Sequence, residues 1–380
     1  MFERIIGGLI VSLLVFVSQV QAADNAHPLQ NLVEQAVAKQ LYDSQIWLSL
    51  LHVINNKTYI EDHSFLLSNP NFSAKQELIN SIQYLLDDNA DINHRCRFPA
   101  RDFWLRKQLN LPEVSYSHCL DFKEFLDKAP ADKISLVYAS ENISQASSMM
   151  GHTLLKVSGK NSKHIDVEHG VSFYTEVKGF NLPKIIYDSI IVGKNGYFAL
   201  SPFYEKKDYY AHNEQRNVWI YDLNLDDISK KLIHWHLWEL HQTQLRYFFD
   251  DYNCATFTQV ILGLSNKSEL SNISGWQTPL DVVKHVKQAK LVENTQMYPS
   301  SRARVRMLTE GLALQDKWDI NQSIHNNKEL QKERQTSDGF RHKASIPEVI
   351  LVKWLDEEYA RGNSTISWGS KEFDELIRRK

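Results

Sequence analysis

Between Ile134 and Leu223 the sequence has the character of a β-sheet. Helical apolar spacing precedes this stretch and returns after it, first at 226–244 and then in a segment that begins at Cys254. Strands and helices that are grouped along the chain are typical of an α+β protein. The sequence therefore predicts an α+β core flanked by helical regions. Candidate strands, separated by polar or glycine-containing segments, lie at 134–139, 152–158, 164–174, 196–201 and 216–223.

Composition excludes few functions but one of them clearly. With 380 residues, of which 43% are hydrophobic and 23% charged, the chain has the composition of a globular protein and enough material for a large core. Its formal net charge is −3, whereas proteins that bind nucleic acid typically have a strongly basic domain. We therefore expect no nucleic-acid partner.

The first residues have the pattern of an export signal. An apolar run from Ile5 to Val17 is followed by the small-residue pattern Val20-Gln21-Ala22. The run is shorter than the ~20 residues that cross a bilayer, which favours a cleavable signal peptide over 1–22. Glu3 offsets Arg4 in front of the run, so an uncleaved anchor is the alternative. We expect a periplasmic or extracellular protein.

The expected export of the chain bears on how its three cysteines pair. In an oxidising compartment three cysteines leave one unpaired. Cys96 and Cys119 share one polar, aromatic-rich stretch, whereas Cys254 directly precedes an apolar helical run. The economical prediction is a Cys96–Cys119 disulfide with Cys254 free, and the alternative is a reduced Cys96 and Cys119.

Cys254 lies where a helix should begin. Asp250, Asp251 or Asn253 could cap this helix, and Gly263 could end it. A thiol at a helix N-terminus faces unpaired N–H groups and the positive end of the helix dipole, which favour the thiolate. The sequence therefore predicts a reactive thiol.

A thiol nucleophile also needs a base, and His152 is the best candidate. Gly151 permits a tight turn, and the alternating segment after it predicts a strand that His152 begins. A strand-borne histidine that comes before a helix-capping cysteine is the arrangement of a papain-like thiol enzyme in permuted order. The oxyanion would be held by the Cys254 backbone N–H and the Asn253 side chain.

Several segments, in this order, resemble the Lnb N-terminal periplasmic domain family, and the likeness runs from about Leu41 to about Arg306. The segment Ala146 to Leu155 is similar to the family's "asxxFGHtfLr", and Phe248 to Ala255 is similar to its "NCa" segment with the preceding aromatic and acidic residues. Further matches are Cys96 to Arg101 with a family signature, Gly193 to Glu205 with "GxxGxFxxxPYxE", and Glu214 to Leu223 with "exRdxWeYxL".

The resemblance implies a circularly permuted papain-like, or NlpC-like, core at 131–265. It would lie between a helical N-terminal region at 23–130 and a helical C-terminal region at 266–380. The resemblance also implies that Cys254 and His152 form the reactive pair.

The third member of the site is open. Where the family usually has Asn in a "yaiNyaa" strand, this chain has Ser172, whose hydroxyl orients an imidazole less firmly than an amide does. His164 follows His152 at a spacing similar to that of the two histidines in NlpC-type peptidases and lecithin retinol acyltransferases. His169 lies on the same candidate strand as Ser172 but with opposite parity. All three remain candidates.

These residues predict acyl transfer through a thioester on Cys254, and the resemblance implies lipoprotein or lipid acyl groups. The alternatives are an NlpC-type hydrolase of cell-wall peptide or lipid ester, and a non-catalytic envelope binding module. The expected partner is a lipoprotein, lipid or cell-wall substrate at the membrane surface, and no cofactor is expected. His234 and His236 point apart on a helix and miss the zinc spacings, so we expect no metal.

Overall fold

The structure is a computed structural model that describes residues 28–87, 93–142, 150–175, 192–241, 243–271, 273, 275–301 and 303–304. Within these ranges no helix combines the length and the apolar character that crossing a bilayer requires. The predicted signal peptide at 1–22, most of the helix predicted from Arg304 to Leu314, and the one predicted near 346–361 lie outside the described residues.

An antiparallel sheet forms the centre of the fold, and a short hairpin precedes it. The hairpin consists of β1 (Val53–Ile54) and β2 (Lys57–Thr58). The sheet consists of β3 (Lys133–Ala139), β4 (His152–Lys160), β5 (Asp166–Thr175), β6 (Lys194–Pro202), β7 (Val218–Leu223), β8 (Leu245–Tyr247) and β9 (Val292–Tyr298). Its seven strands are arranged in the order β8-β6-β5-β4-β3-β7-β9. All neighbouring pairs are antiparallel.

Helices come before, between and after the strands. The N-terminal ones are α1 (Pro28–Ala38), α2 (Gln45–Leu50), α3 (Ala74–Leu85), α4 (Asn93–Arg97), α5 (Pro99–Gln108) and α6 (Leu120–Lys128). The later ones are α7 (Phe203–Asp208), α8 (Asp227–Leu240), α9 (Cys254–Leu262), α10 (Ser268–Ser271) and α11 (Pro279–Gln288).

The α+β prediction is confirmed, and all five predicted strands are present with ends shifted by a few residues. The β1–β2 hairpin, in the region predicted to be helical, and two strands of the sheet were not predicted. β8 has only three residues, and β9 is almost entirely exposed, so neither carries an alternating apolar pattern. β9 lies in the region predicted to be helical, and that prediction was wrong there because backbone pairing with β7 decides its conformation.

The sheet separates a large core from a small one. Along β4, Leu155 and Val157 belong to the large core, which also contains most of α9. Leu154 faces the other way, into a smaller cluster with Phe203 and Tyr210. Because side chains alternate along a strand, Thr153 points towards α9 while His152 starts on the opposite face.

The predicted disulfide is present. Cys96 at the end of α4 and Cys119 before α6 are joined, with their Cα atoms 5.4 Å apart, and Cys254 is the free cysteine. The imidazole Nε2 of His118 lies 3.3 Å from the Cys119 sulfur. Since both sulfurs of this Cys-His-Cys cluster are in the disulfide, the cluster has no thiolate to offer a metal.

Candidate functional site

Cys254 is the first residue of α9, as the sequence predicted, and Asn253 is the cap that the structure selects. The Asn253 side-chain oxygen accepts hydrogen bonds from the Ala255 N–H at 2.8 Å and the Thr256 N–H at 3.1 Å. These bonds satisfy two of the N–H groups that a helix leaves unpaired at its start. They fix the direction in which Cys254 leaves the preceding turn.

The other end of the same amide is also occupied. Its NH₂ group donates to the carbonyl oxygens of Phe249, at 3.1 Å, and Gln277, at 3.0 Å. An amide has two N–H donors, so none is left for an oxyanion. The predicted oxyanion role of the Asn253 side chain is therefore not compatible with this arrangement, and the residue instead positions Cys254.

Gly263 ends α9 in a way that the sequence did not predict. Its backbone is right-handed, and the chain continues as a short 3₁₀ turn to Ser265 before Asn266 adopts the left-handed conformation. A Cβ at position 263 would lie 2.7 Å from the Ser49 hydroxyl. Glycine is needed here because α2 approaches closely, not because the helix ends in a left-handed residue.

The Cys254 thiol is 6% exposed, and this burial reverses one prediction. Burial raises the pKa of the Cys254 thiol above its ordinary value, and hydrogen bonds from the Thr153 backbone and side chain offset only part of the shift. The Thr153 hydroxyl has one proton, which it donates to the Cys254 carbonyl at 3.3 Å while the thiol is neutral and can give to the sulfur once that is ionised. The resting form is therefore the neutral thiol rather than the thiolate that the helix N-terminus alone predicted.

His152 begins β4 and borders the same cavity as Cys254. Its ring centroid lies 5.9 Å from that of Tyr210, on the side of the smaller core. Burial, followed by the positive charges of Arg216 and Lys206, lowers the pKa of His152 to about 3. The imidazole is thus neutral at physiological pH and has a nitrogen that can accept a proton, but a pKa this low makes it a weak base in the unliganded site.

The cavity between the two residues is small, and its lining mixes three aromatic rings with polar side chains. It encloses about 40 Å³, room for a few water molecules, which suits a reacting carbonyl group but not an acyl chain. Trp276, 49% exposed, lies at its rim. No hydrogen bond joins the His152 imidazole to the thiol among the described residues. Proton transfer therefore needs a rotation of the imidazole or a bridging water, as is common in unliganded sites. The remaining lining residues are Met150, Gly151, Tyr247, Phe249, Asn253, Gln277, Thr278 and Pro279.

Tyr247 is a site residue that the sequence analysis missed. It is 9% exposed on β8, and its ring packs 5.3 Å from that of Phe173. Burial, followed by the Cys254 sulfur beside it once that sulfur is ionised, raises the pKa of the Tyr247 phenol well above its ordinary value, so the hydroxyl keeps its proton. A protonated phenol next to the nucleophile can donate a hydrogen bond to a developing oxyanion. The short, unpredicted strand β8 is what brings it there.

Arg216 is the buried positive charge that acts on both His152 and Cys254. Its guanidinium is 1% exposed and donates to the carbonyls of Ala139, at 2.7 Å, and Ser140, at 2.5 Å, and to Glu214 at 2.6 Å. Ala139 pairs with His152 across β3 and β4. Arg216 thus fixes the end of the sheet at which His152 begins, and it acts on the pKa values of both His152 and Cys254.

The candidates for the third member have different positions. Ser172 pairs with Ala199, and the register of β4 with β5 places it opposite Leu154, on the face of His152. It is 1% exposed, and its hydroxyl has no hydrogen-bond partner among the described residues. The geometry leaves Ser172 as a candidate without showing a contact to the imidazole.

The two histidines do not share this position. His164 is in the turn after β4, which ends roughly 26 Å from His152 at the usual rise per residue. His169 is opposite Val157, about 17 Å along β4 and on the other face of the sheet. Neither can orient the His152 imidazole in this fold, so both alternatives are corrected.

The protonation states predict how Cys254 reacts. Because the thiol pKa is raised and the His152 pKa is about 3, both groups are neutral across the range from pH 5 to pH 8. The rate of Cys254 alkylation by iodoacetamide should therefore rise with pH, about tenfold per unit, through pH 9. The Cys254→Ala variant gives the background rate. A plateau that begins near pH 5 would mean a preformed thiolate–imidazolium pair and would contradict this assignment.

Together these features define an α+β protein with a buried, free cysteine at a helix N-terminus beside a strand-borne histidine. Residues 121–289 match the family model described as the Lnb N-terminal periplasmic domain, the family that the motifs of this chain resemble. Residues 39–108 match a domain of unknown function, DUF7843. No curated protein and no solved structure matches the chain.

Proposed function

We propose that this protein is exported through a signal peptide at 1–22 and transfers acyl groups through a thioester on Cys254, in a permuted papain-like core. The observation that carries the proposal is the position of the free Cys254 thiol and the neutral His152 imidazole on one cavity at the end of the sheet. The match of residues 121–289 to the model of a periplasmic domain family named after Lnb supports an envelope location.

The reaction has two halves. In the first, His152 takes the thiol proton while the Cys254 sulfur bonds to the carbonyl carbon of an ester, and the carbonyl oxygen becomes an oxyanion. The backbone N–H of Cys254 and the Tyr247 hydroxyl stabilise this charge. When the oxyanion collapses, the ester C–O bond breaks and the leaving alcohol takes the proton from His152, which leaves an acyl thioester.

In the second half an amine attacks the thioester. Its nitrogen bonds to the acyl carbon, its proton passes to His152, and the departing sulfur recovers that proton as the C–S bond breaks. Water in place of the amine would make the protein a hydrolase. We favour an apolar acyl donor, such as a lipid or lipoprotein ester, over a cell-wall peptide because the exposed Trp276 ring at the rim offers an apolar surface to an acyl chain that lies outside the cavity.

Ser172 is proposed as the third member. Its buried hydroxyl lies on the same face of the sheet as His152 and has no hydrogen-bond partner among the described residues. Its role would be to hold the ring orientation during proton transfer.

The proposal is tested by mass spectrometry of Cys254 after incubation with bacterial membrane extract. An acyl adduct on the Cys254 peptide that is absent from Cys254→Ala is the expected result, and its mass gives the chain length. Adding an amine acceptor should convert the adduct to an N-acyl product if the protein is a transferase. Release of peptidoglycan fragments without any lipid adduct would favour the hydrolase instead. No lipid adduct and no released fragments would contradict both the transferase and the hydrolase.

Tyr247→Phe tests the oxyanion assignment separately. We expect kcat to fall about 10²-fold with little change in KM, because removal of a donor that acts on the transition state has this effect. The matched control is Tyr174→Phe, since Tyr174 is 39% exposed and does not line the cavity. An unchanged kcat in Tyr247→Phe would assign the hydroxyl a structural role only.

A further inference from the structure

One residue of the N-terminal region, His52, packs against α9, the helix that begins at Cys254. His52, which follows α2 and lies in the segment that matches the domain of unknown function, is completely buried. Its ring stacks on that of Phe257 in α9, with centroids 5.7 Å apart, and on that of His236 in α8, at 5.2 Å. An imidazole in such a place must have hydrogen-bond partners, because an unpaired buried polar group is costly.

The hydrogen-bond partners of His52 form a continuous buried network. His52 Nδ1 is hydrogen-bonded to the Tyr252 hydroxyl, and His52 Nε2 lies 3.0 Å from His236 Nε2. The Nδ1 of His236 is 2.8 Å from a carboxylate oxygen of Glu239. The other oxygen of Glu239 accepts the N–H groups of Ala100 and Arg101 at the start of α5. Glu239, His236, His52 and Tyr252 are all 0% exposed.

The protonation states of the two histidines fix which group donates in each hydrogen bond of this network. Burial lowers the pKa of both histidines, so each has one N–H. The Glu239 carboxylate accepts from His236 Nδ1–H, which leaves His236 Nε2 to accept from His52 Nε2–H. His52 Nδ1 must then accept from the Tyr252 hydroxyl. This assignment satisfies every group in the network, and it ends on a residue two positions before Cys254.

A second set of contacts from the N-terminal region holds the same turn. The Tyr59 ring stacks on that of Tyr252, with centroids 4.4 Å apart and planes 13° from parallel, and its hydroxyl donates to the Asp251 carboxylate. Next to it, the Arg246 N–H donates to the Tyr59 carbonyl at 3.1 Å. Ile60 also bridges Leu245 in β8, the strand that carries Tyr247.

We propose that the N-terminal region at 39–108 is a structural part of the active site, with His52 as the positioning residue that holds the Tyr252–Asn253 turn and hence the Cys254 thiol. The catalytic consequence rests on the function proposed above, whereas the positioning itself does not. A folding-only role predicts that loss of the Tyr252 bond lowers stability without affecting Cys254 in the folded state. A positioning role predicts that Cys254 becomes more accessible.

The experiment measures the iodoacetamide alkylation rate of Cys254 in folded protein at one pH, with no acyl substrate present. Tyr252→Phe removes only the hydroxyl and keeps the ring stack. In His52→Gln the new amide lies near the former Nε2 position, so the hydrogen bond to His236 is retained and the hydrogen bond to Tyr252 is lost. His52→Asn places an amide near the former Nδ1 position, which retains a partner for Tyr252. Tyr116→Phe is the matched control, because the Tyr116 hydroxyl also donates to a side chain in the interior, Asp102 at 2.6 Å, but this partner belongs to α5 and not to the turn before Cys254.

We expect Tyr252→Phe and His52→Gln to react roughly three- to tenfold faster than the wild type, the change that loss of one hydrogen bond makes to a local opening equilibrium. His52→Asn and Tyr116→Phe should react within about twofold of the wild type, even if both unfold more easily. An unchanged rate in Tyr252→Phe, or an equal rise in Tyr116→Phe, would overturn the inference. Faster alkylation in a protein that shows no acyl adduct would refute the proposed function alone.

Discussion

Replacing Cys254 by alanine should abolish acyl-adduct formation and turnover while the protein stays folded. The thiol is the group that bonds to the acyl carbon, and alanine is smaller, so the substitution removes the nucleophile without crowding α9. His152→Ala should lower kcat by about 10²- to 10⁴-fold, which is the usual contribution of a general base. Because the two groups act as one unit, the double variant should be little worse than Cys254→Ala.

Two measurements check this result. Turnover and adduct yield are compared with those of His169→Ala, a histidine that lies on the same sheet but about 17 Å along it from His152, and that variant should retain activity. Circular dichroism and thermal unfolding of each variant establish that it is folded. Full activity in Cys254→Ala would end the thiol mechanism, and full activity in His152→Ala would assign the proton transfer to another group.

The largest effect on stability is expected at Arg101. Its guanidinium is fully buried, lies 2.9 Å from the Glu77 carboxylate, which is buried too, and donates to the Phe65 carbonyl at 3.0 Å. It also lies over the rings of Phe65 and Phe98, at 4.2 and 4.4 Å from their centroids. Arg101→Met should reduce the free energy of unfolding by ~3–5 kcal/mol, because it leaves the Glu77 carboxylate buried without its counter-charge.

Denaturant unfolding of Arg101→Met and of Lys160→Met measures the difference. Lys160 pairs with Asp166 at 2.8 Å, but both side chains are more than half exposed, so loss of this pair should change stability little. Equal effects of the two substitutions would contradict the assignment. A double variant, Arg101→Met with Glu77→Leu, should recover part of the loss because it removes the unpaired charge.

Much of this protein followed from sequence alone. Cys254 and His152 were found because each lies at the start of a local pattern, an apolar helix after Asn253 and an alternating strand after Gly151. The Cys96–Cys119 disulfide followed from counting cysteines in a chain predicted to be exported, and it is present. In each case the signal is contained in a few neighbouring residues, which is where periodicity and capping preferences act.

The tertiary structure decided what those residues can do. The protonation state of Cys254 was predicted wrongly, because the helix N-terminus is visible in the sequence whereas the burial that outweighs it is not. The alternation of side chains along one strand cannot show that His164 and His169 lie far from His152, because these distances depend on where the chain turns between β4 and β5. The bond between His52 and Tyr252 joins groups 200 residues apart. Only packing of the N-terminal region against α9 brings them together, and no local pattern records it.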